Sequence, residues 1–118
     1  MQDFNALSVA QWLVHQHANK IPFAALPKNL ALSNARQAVA VQNEFVRIKA
    51  QQCGDVIGWK IALATPAMQK LVGLDAPAAG RLHRKQVLHA PADLSIEGYG
   101  RILIEFEIRA NQGKLCLT

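Results

Sequence analysis

The chain has 118 residues, of which 51% are hydrophobic and 18% are charged, and its formal net charge is +5. This balance excludes an intrinsically disordered chain and is typical of one globular domain with a modest core. No apolar run reaches the roughly 18 residues that a membrane span needs, and the first residues lack the regions of a secretory signal. We therefore expect a cytoplasmic protein without a membrane partner, in which Cys53 and Cys116 are reduced thiols.

The positive charge is scattered along the chain, with one cluster at Arg81, His83, Arg84 and Lys85. A nucleic-acid-binding surface usually combines a basic stripe with interleaved aromatic side chains, and this cluster has none. We interpret the cluster as a solvated basic loop and expect no nucleic-acid partner. Basic charge also suits an enzyme with anionic substrates, because it raises their local concentration.

The N-terminal part of the chain is predicted to be helical. A first helix is expected over residues 8–19, with Ser8 as its N-cap, and a linker with Pro22 and Pro27 follows it. The clearest helical periodicity covers residues 34–52. Its apolar stripe consists of Ala38, Val41, Phe45 and Ile48, widened by Val39 and Val46.

Local signals mark both ends of this second helix. Asn34, with Gln37 three residues later, resembles a capping box, and Gly54 can take the positive φ that ends a helix. We therefore predict an N-terminal helical region over residues 1–54.

Strand signals begin after Gly54. Residues 56–63 predict a mostly buried strand that contains Lys60. Thr65 and Pro66 then begin a short helix that Gly73 ends. Its predicted apolar face consists of Met68, Leu71 and Val72.

The last third of the chain is predicted to mix loops and strands. Residues 75–100 are expected to be loop-rich, with a short strand near residues 86–88. Residues 101–108 form a strongly β-prone run, and the polar turn at residues 111–113 predicts a hairpin. We interpret residues 55–118 as the start of a β-rich catalytic domain.

Two glutamates interrupt the β-prone run. Because strand residues two apart point to the same side, Glu105 and Glu107 are expected to share one face. Two carboxylates this close repel each other, and a divalent cation such as Mg²⁺ or Mn²⁺ offsets that repulsion. On spacing alone, a solvent-facing pair is the simpler explanation.

Lys60 is the second residue that breaks a local pattern, since it lies in a run that otherwise suits a core. Burial lowers the pKa of a lysine and fits it for proton transfer. The alternative is a lysine that extends its ammonium from a strand end into water. His15, His17, His83 and His89 lack metal-ligand spacing, and we interpret them as surface histidines or as satisfied by hydrogen bonds.

Four segments in this order resemble a known family. They are Gly58-Trp59-Lys60-Ile61-Ala62-Leu63, Thr65-Pro66-Ala67-Met68-Gln69, Leu74-Asp75-Ala76-Pro77-Ala78-Ala79-Gly80-Arg81-Leu82 and Ile104-Glu105-Phe106-Glu107-Ile108. The series is similar to the 2-oxopent-4-enoate (2-hydroxypenta-2,4-dienoate) hydratases. These group with the 4-oxalocrotonate decarboxylases in the fumarylacetoacetate hydrolase superfamily.

The resemblance implies an α+β fold, in which N-terminal helices precede a mixed, rolled β domain. It implies that Glu105 and Glu107 are the first two carboxylate ligands of Mg²⁺ or Mn²⁺, and that Lys60 is the catalytic lysine. A third acidic ligand is expected beyond Thr118, so residues 1–118 alone are expected to bind metal weakly and to show little hydratase activity. One departure is Ala78, where many members have an aspartate, so no water-handling acid is assigned.

The implied activity is that of a hydro-lyase that adds water to a 2-hydroxydienoate or 2-oxoalkenoate in the breakdown of aromatic compounds. The implied partners are a small 2-oxo acid substrate and further copies of the chain in a homo-oligomer. Two alternatives remain open: a 2-oxo acid decarboxylase of the same family, and a truncated non-catalytic relative that acts only in assembly. A small basic binding domain is a poorer interpretation.

Overall fold

Helices precede strands along most of this chain. The computed structural model describes residues 4–21, 24–97, 99, 104, 108–111 and 114–117. Within these ranges the elements are α1 (Ala6–Ala18), α2 (Ala35–Cys53), β1 (Val56–Ala62), α3 (Pro66–Leu71), β2 (Ala78–His83), β3 (Ile108–Asn111) and β4 (Lys114–Leu117), with 3-10 turns at Lys28–Leu30 and Arg84–Gln86. The predicted α+β class is confirmed, since helices are combined with an antiparallel sheet.

The chain divides into two compact units. The first comprises Met1–Gln52 and Ser95–Ile102, and the second comprises Cys53–Leu94 and Leu103–Thr118. No helix within the described ranges is long and apolar enough to cross a membrane.

Helix α1 begins earlier than the sequence pattern predicted. The Oδ1 atom of Asn5 accepts a hydrogen bond from the backbone N–H of Ser8 at 3.1 Å, so Asn5 is the N-cap. The prediction of Ser8 as the cap is therefore wrong, because Asn5 is an equally good capping residue and adds almost a turn.

Helix α2 begins and ends close to the predicted positions. Asn34 Oδ1 accepts from the backbone N–H of Gln37 at 3.0 Å, while Gln37 Oε1 accepts from the N–H of Ser33 at 2.7 Å. The predicted capping pair is thus present, although Gln37 reaches the residue before the cap. Gly54 follows the helix with a φ of +77°, as predicted for a helix end.

The first unit contains the buried apolar core. Val9, Ala10 and Val41 are 2%, 0% and 3% exposed. Partly buried side chains surround them: Ala6, Leu13, Leu26, Leu30, Leu32, Phe45 and Ile48. The predicted stripe of α2 is confirmed at Val41, Phe45 and Ile48, whereas Val39 is 54% exposed.

The second unit contains a four-stranded sheet in the order β2-β1-β3-β4. Strands β1 and β2 pair antiparallel, with a register shift between Val56 and Gly58. Strand β3 pairs with β1 through Trp59 and Ala110, and with β4 in an antiparallel hairpin that sets Asn111 opposite Lys114. The predicted hairpin is confirmed.

Three strand predictions need correction. The strand expected near residues 86–88 is wrong, since Arg84–Gln86 is a 3-10 turn, and β2 occupies part of the expected loop region. Within the β-prone run, Ile104 lies outside any strand, and the described part of β3 is Ile108–Asn111. Residues 101–103 and 105–107 lie outside the described residues.

Strand β1 is less buried than predicted. Trp59 and Ile61 are 48% and 55% exposed. The apolar residues of β1 predicted that the strand is buried. Apolar residues can pack in a core, but their number alone does not show that other elements cover them.

Helix α3 follows a tight connection. Thr65 Oγ1 accepts from the backbone N–H of Met68 at 3.4 Å, Pro66 occupies the first helical turn, and Gly73 has a φ of +73°. The predicted helix start and end are confirmed. The predicted apolar face is solvent-exposed, since Met68, Leu71 and Val72 are 47%, 77% and 52% exposed.

Candidate functional site

Lys60 lies inside β1, two residues before its last residue Ala62, and is half-buried. Its direct partner across the antiparallel pair is Gly80 of β2. The backbone of a lysine in this position pairs with β2. Its aliphatic chain extends away from the face of the sheet.

The sheet face that Lys60 shares carries mostly small residues. Residues two apart on a strand lie on one face, so Gly58 and Ala62 of β1 accompany Lys60. On β2 the same face carries Gly80, with Ala78 opposite Ala62 and Leu82 opposite Gly58. Within β1 and β2, the lysine is therefore the longest side chain of this face, and the small residues beside it leave a low surface.

The opposite face of β1 carries an aromatic–cation pair. Arg81 lies opposite Trp59, and its Cζ is 4.0 Å from the centroid of the indole ring. Such a contact at an exposed site contributes about 0.5–1 kcal/mol. Because neighbouring strand residues alternate, this pair is separated from Lys60 by the sheet.

His83 ends β2 and is buried, with 4% of its surface exposed. Its Nδ1 lies 2.8 Å from the backbone carbonyl oxygen of Gly54, which can only accept, so Nδ1 carries the proton and donates it. The backbone N–H of Arg84 donates to the carbonyl of Asp55 at 2.9 Å beside it. His83 thus fastens the end of β2 to the segment that precedes β1.

These positions correct the prediction of a solvated basic loop. Arg81 and His83 belong to β2, and of the four cluster residues only Arg84 and Lys85 are exposed, in the turn that follows. The satisfied-histidine interpretation is confirmed for His83. His15, His17 and His89 are exposed, and the ring of His17 contacts Phe45 edge-on at a centroid distance of 5.3 Å.

Glu105 and Glu107, the predicted metal ligands, lie outside the described residues. Within the ranges that the structure describes, no group of three or more His, Cys, Asp or Glu side chains could hold a metal ion. The neighbouring backbone is described: β3 begins at Ile108, directly after Glu107, and pairs with the strand of Lys60.

Gly80 lies directly opposite Lys60, and the sequence analysis does not single it out. A signal was available, because glycine weakens a strand and often marks a close approach of a ligand or another backbone. The loop-rich stretch predicted over residues 75–100 hides this signal, because a glycine in a loop needs no explanation.

Comparison with protein-family models, curated proteins and solved structures gives no match to this chain. The family resemblance therefore rests on the sequence segments that carry it.

Proposed function

We propose that this chain belongs to a metal-dependent hydro-lyase of the 2-oxopent-4-enoate hydratase type, which adds water to a small 2-hydroxydienoate or 2-oxoalkenoate. In this proposal residues 1–54 are the helical region and residues 55–118 begin a rolled β domain that carries the site. One observation carries it: the strand that starts directly after Glu107 pairs with the strand that holds Lys60.

The proposal requires the glutamate pair to reach the lysine's side of the sheet. For this, the register of Trp59 with Ala110 would have to continue past the described end of β3, so that position 107 would lie opposite position 62. Ala62 shares its face with Lys60, and positions 105 and 107 share a face with each other. With that continuation, the glutamate pair would lie on the face of Lys60.

The donor chemistry fits Mg²⁺ or Mn²⁺. Two carboxylates supply hard oxygen ligands, which both cations prefer over nitrogen or sulfur. When bound, such a cation acts as a Lewis acid on the oxygens of the 2-oxo acid.

Lys60 has two tasks in the proposed reaction. Its ammonium attracts the substrate carboxylate, and it moves the proton that hydration requires. Water adds its hydroxyl to one carbon of the double bond, the lysine gives a proton to the conjugated chain, and the lysine regains a proton from the water. A positioned acid–base group of this kind contributes about 10²–10⁴-fold to a rate.

Metal binding is the first test of this proposal. Titration of the chain with Mn²⁺ is expected to broaden the NMR resonances of β1 near Lys60, because the ion is paramagnetic. The double variant Glu105→Gln with Glu107→Gln is expected to lose this broadening. Asp75→Asn removes an exposed carboxylate elsewhere in the same unit and should retain it. Broadening that persists without the glutamate pair would refute the metal site.

Catalysis is the second test, and it uses the protein that the natural reading frame of this chain encodes. Turnover of a 2-hydroxydienoate, followed by ultraviolet absorbance, should fall about 10²–10⁴-fold in Lys60→Ala while Mn²⁺ affinity stays unchanged. Lys60→Arg should not restore turnover, because a guanidinium does not release its proton in this range. Near-normal turnover in Lys60→Ala would remove the lysine from the mechanism.

A further inference from the structure

Gly80 lies in the interior of β2 with no conformational reason to be glycine. Its φ is not among the positive values, which within the described glycines occur at Gly54 and Gly73. A Cβ atom added at position 80 would meet only the backbone oxygen of Lys60, at 4.0 Å, which is an ordinary contact. The fold therefore accepts a side chain here, while glycine in a strand costs about 0.5–1 kcal/mol relative to alanine.

We infer that Gly80 is a specificity-determining position, whose missing side chain lets an unbranched 2-oxo acid lie flat on the sheet beside Lys60. This inference rests on the proposed function and names where that function's substrate lies. Directly opposed residues of an antiparallel pair have Cβ atoms about 4.5–5.5 Å apart, so a side chain at position 80 would stand next to the lysine stem. Its absence leaves that space to a ligand.

The chemistry of the face sets the class of ligand. An ammonium group beside a low surface of glycine and alanine suits an anion that is flat and short. A small 2-oxo acid is planar at its carboxylate and keto groups, so its carboxylate can meet Lys60 while its chain passes over Gly80. A branched side chain at position 80 would occupy the path of that chain.

The test compares side chains added to the two faces of one strand. Wild-type chain, Gly80→Ala, Gly80→Val and Ala79→Val are titrated with 2-oxopentanoate at a fixed Mg²⁺ concentration, and the amide shifts of β1 and β2 are followed by NMR. Ala79→Val places the same valine side chain at the neighbouring position, on the face of Trp59 and Ile61. Dispersed spectra establish that each variant folds.

The Kd of Gly80→Val for 2-oxopentanoate is expected to rise about tenfold or more, because its side chain overpacks the space that the ligand fills. We expect a smaller rise in Gly80→Ala and none in Ala79→Val. An unchanged Kd in Gly80→Val would overturn the role of Gly80 and leave the proposed function standing. If Gly80→Val does not fold, an unchanged Kd in Gly80→Ala overturns it instead. A wild-type chain that shows no shift near Lys60 would overturn the proposed function, and this inference with it.

Discussion

At the scale of single residues, Leu63 adopts a backbone conformation that bulky side chains rarely take, with a φ of +57°. The left-handed region costs an L-residue with a Cβ roughly 1–2 kcal/mol. The side-chain amide of Gln69 donates to the carbonyl of Leu63 at 2.9 Å, which helps to stabilise the connection between β1 and α3. This turn begins three residues after Lys60, so its geometry defines how the strand of the candidate site ends.

Two truncations of Leu63 test this conformation. Leu63→Gly and Leu63→Ala both remove the half-buried side chain, but only alanine keeps the Cβ that crowds the left-handed backbone. We expect Leu63→Gly to be about 1 kcal/mol more stable than Leu63→Ala in urea unfolding. At ordinary positions the order is reversed, because glycine loses more entropy on folding. A more stable Leu63→Ala would show that the left-handed turn is not populated.

Some residue roles follow from local chemistry and others do not. Thr65, Pro66 and Gly54 act within one turn of the chain, so their capping roles could be predicted from their neighbours alone. Lys60 was singled out correctly as a strand lysine. The hydrogen bond from His83 to Gly54 joins residues 29 positions apart, and no local sequence pattern predicts it.

At the scale of secondary-structure elements, α1 offers a direct comparison between two possible caps. Asn5→Ala is expected to destabilise the chain by about 1 kcal/mol and to lower its helicity, because the N–H of Ser8 loses its acceptor. Ser8→Ala is the matched control and should change the free energy of unfolding by only a few tenths of a kcal/mol, roughly the difference in helix propensity. Urea unfolding followed by circular dichroism measures both. The opposite order would restore Ser8 as the cap.

The strands were harder to predict than the helices, for a physical reason. Strand β2 begins with Ala78, Ala79 and Gly80, which have low β-propensity, and it forms because β1 supplies hydrogen-bond partners along its length. Val87 and Leu88 have the better local pattern but lie outside every strand. Pairing depends on residues distant in sequence, so propensity alone misplaces short strands.

At the scale of the whole molecule, the candidate site combines both kinds of information. The family resemblance implied the α+β class, and the local residue pattern was enough to predict the strand of Lys60. The low surface beside that lysine depends on the register that sets Gly80 opposite it, and on small residues from two strands. The proposed ligands Glu105 and Glu107 depend in the same way on how β3 pairs with β1.

The two units differ in their buried apolar content, and the chain carries a natural probe of each. The buried core of Val9, Ala10 and Val41 lies in the first unit, whereas no apolar side chain of residues 53–94 in the second is buried. Trp12 lies in the first unit and Trp59 in the second. Because buried apolar area is the main source of stability, we expect the second unit to unfold at a lower urea concentration.

Single-tryptophan variants measure the difference. Trp12→Phe leaves Trp59 as the fluorescent reporter, and Trp59→Phe leaves Trp12. We expect the Trp59 transition to have the lower midpoint, by about 1 M urea if the stabilities differ by roughly 1–3 kcal/mol. Circular dichroism of both variants and of the unchanged chain, recorded over the same titration, reveals any shift that a substitution itself introduces. Coincident midpoints from both reporters and from circular dichroism would instead mean that the chain unfolds as one cooperative unit, and that the exposed apolar faces of β1 and α3 do not weaken their unit.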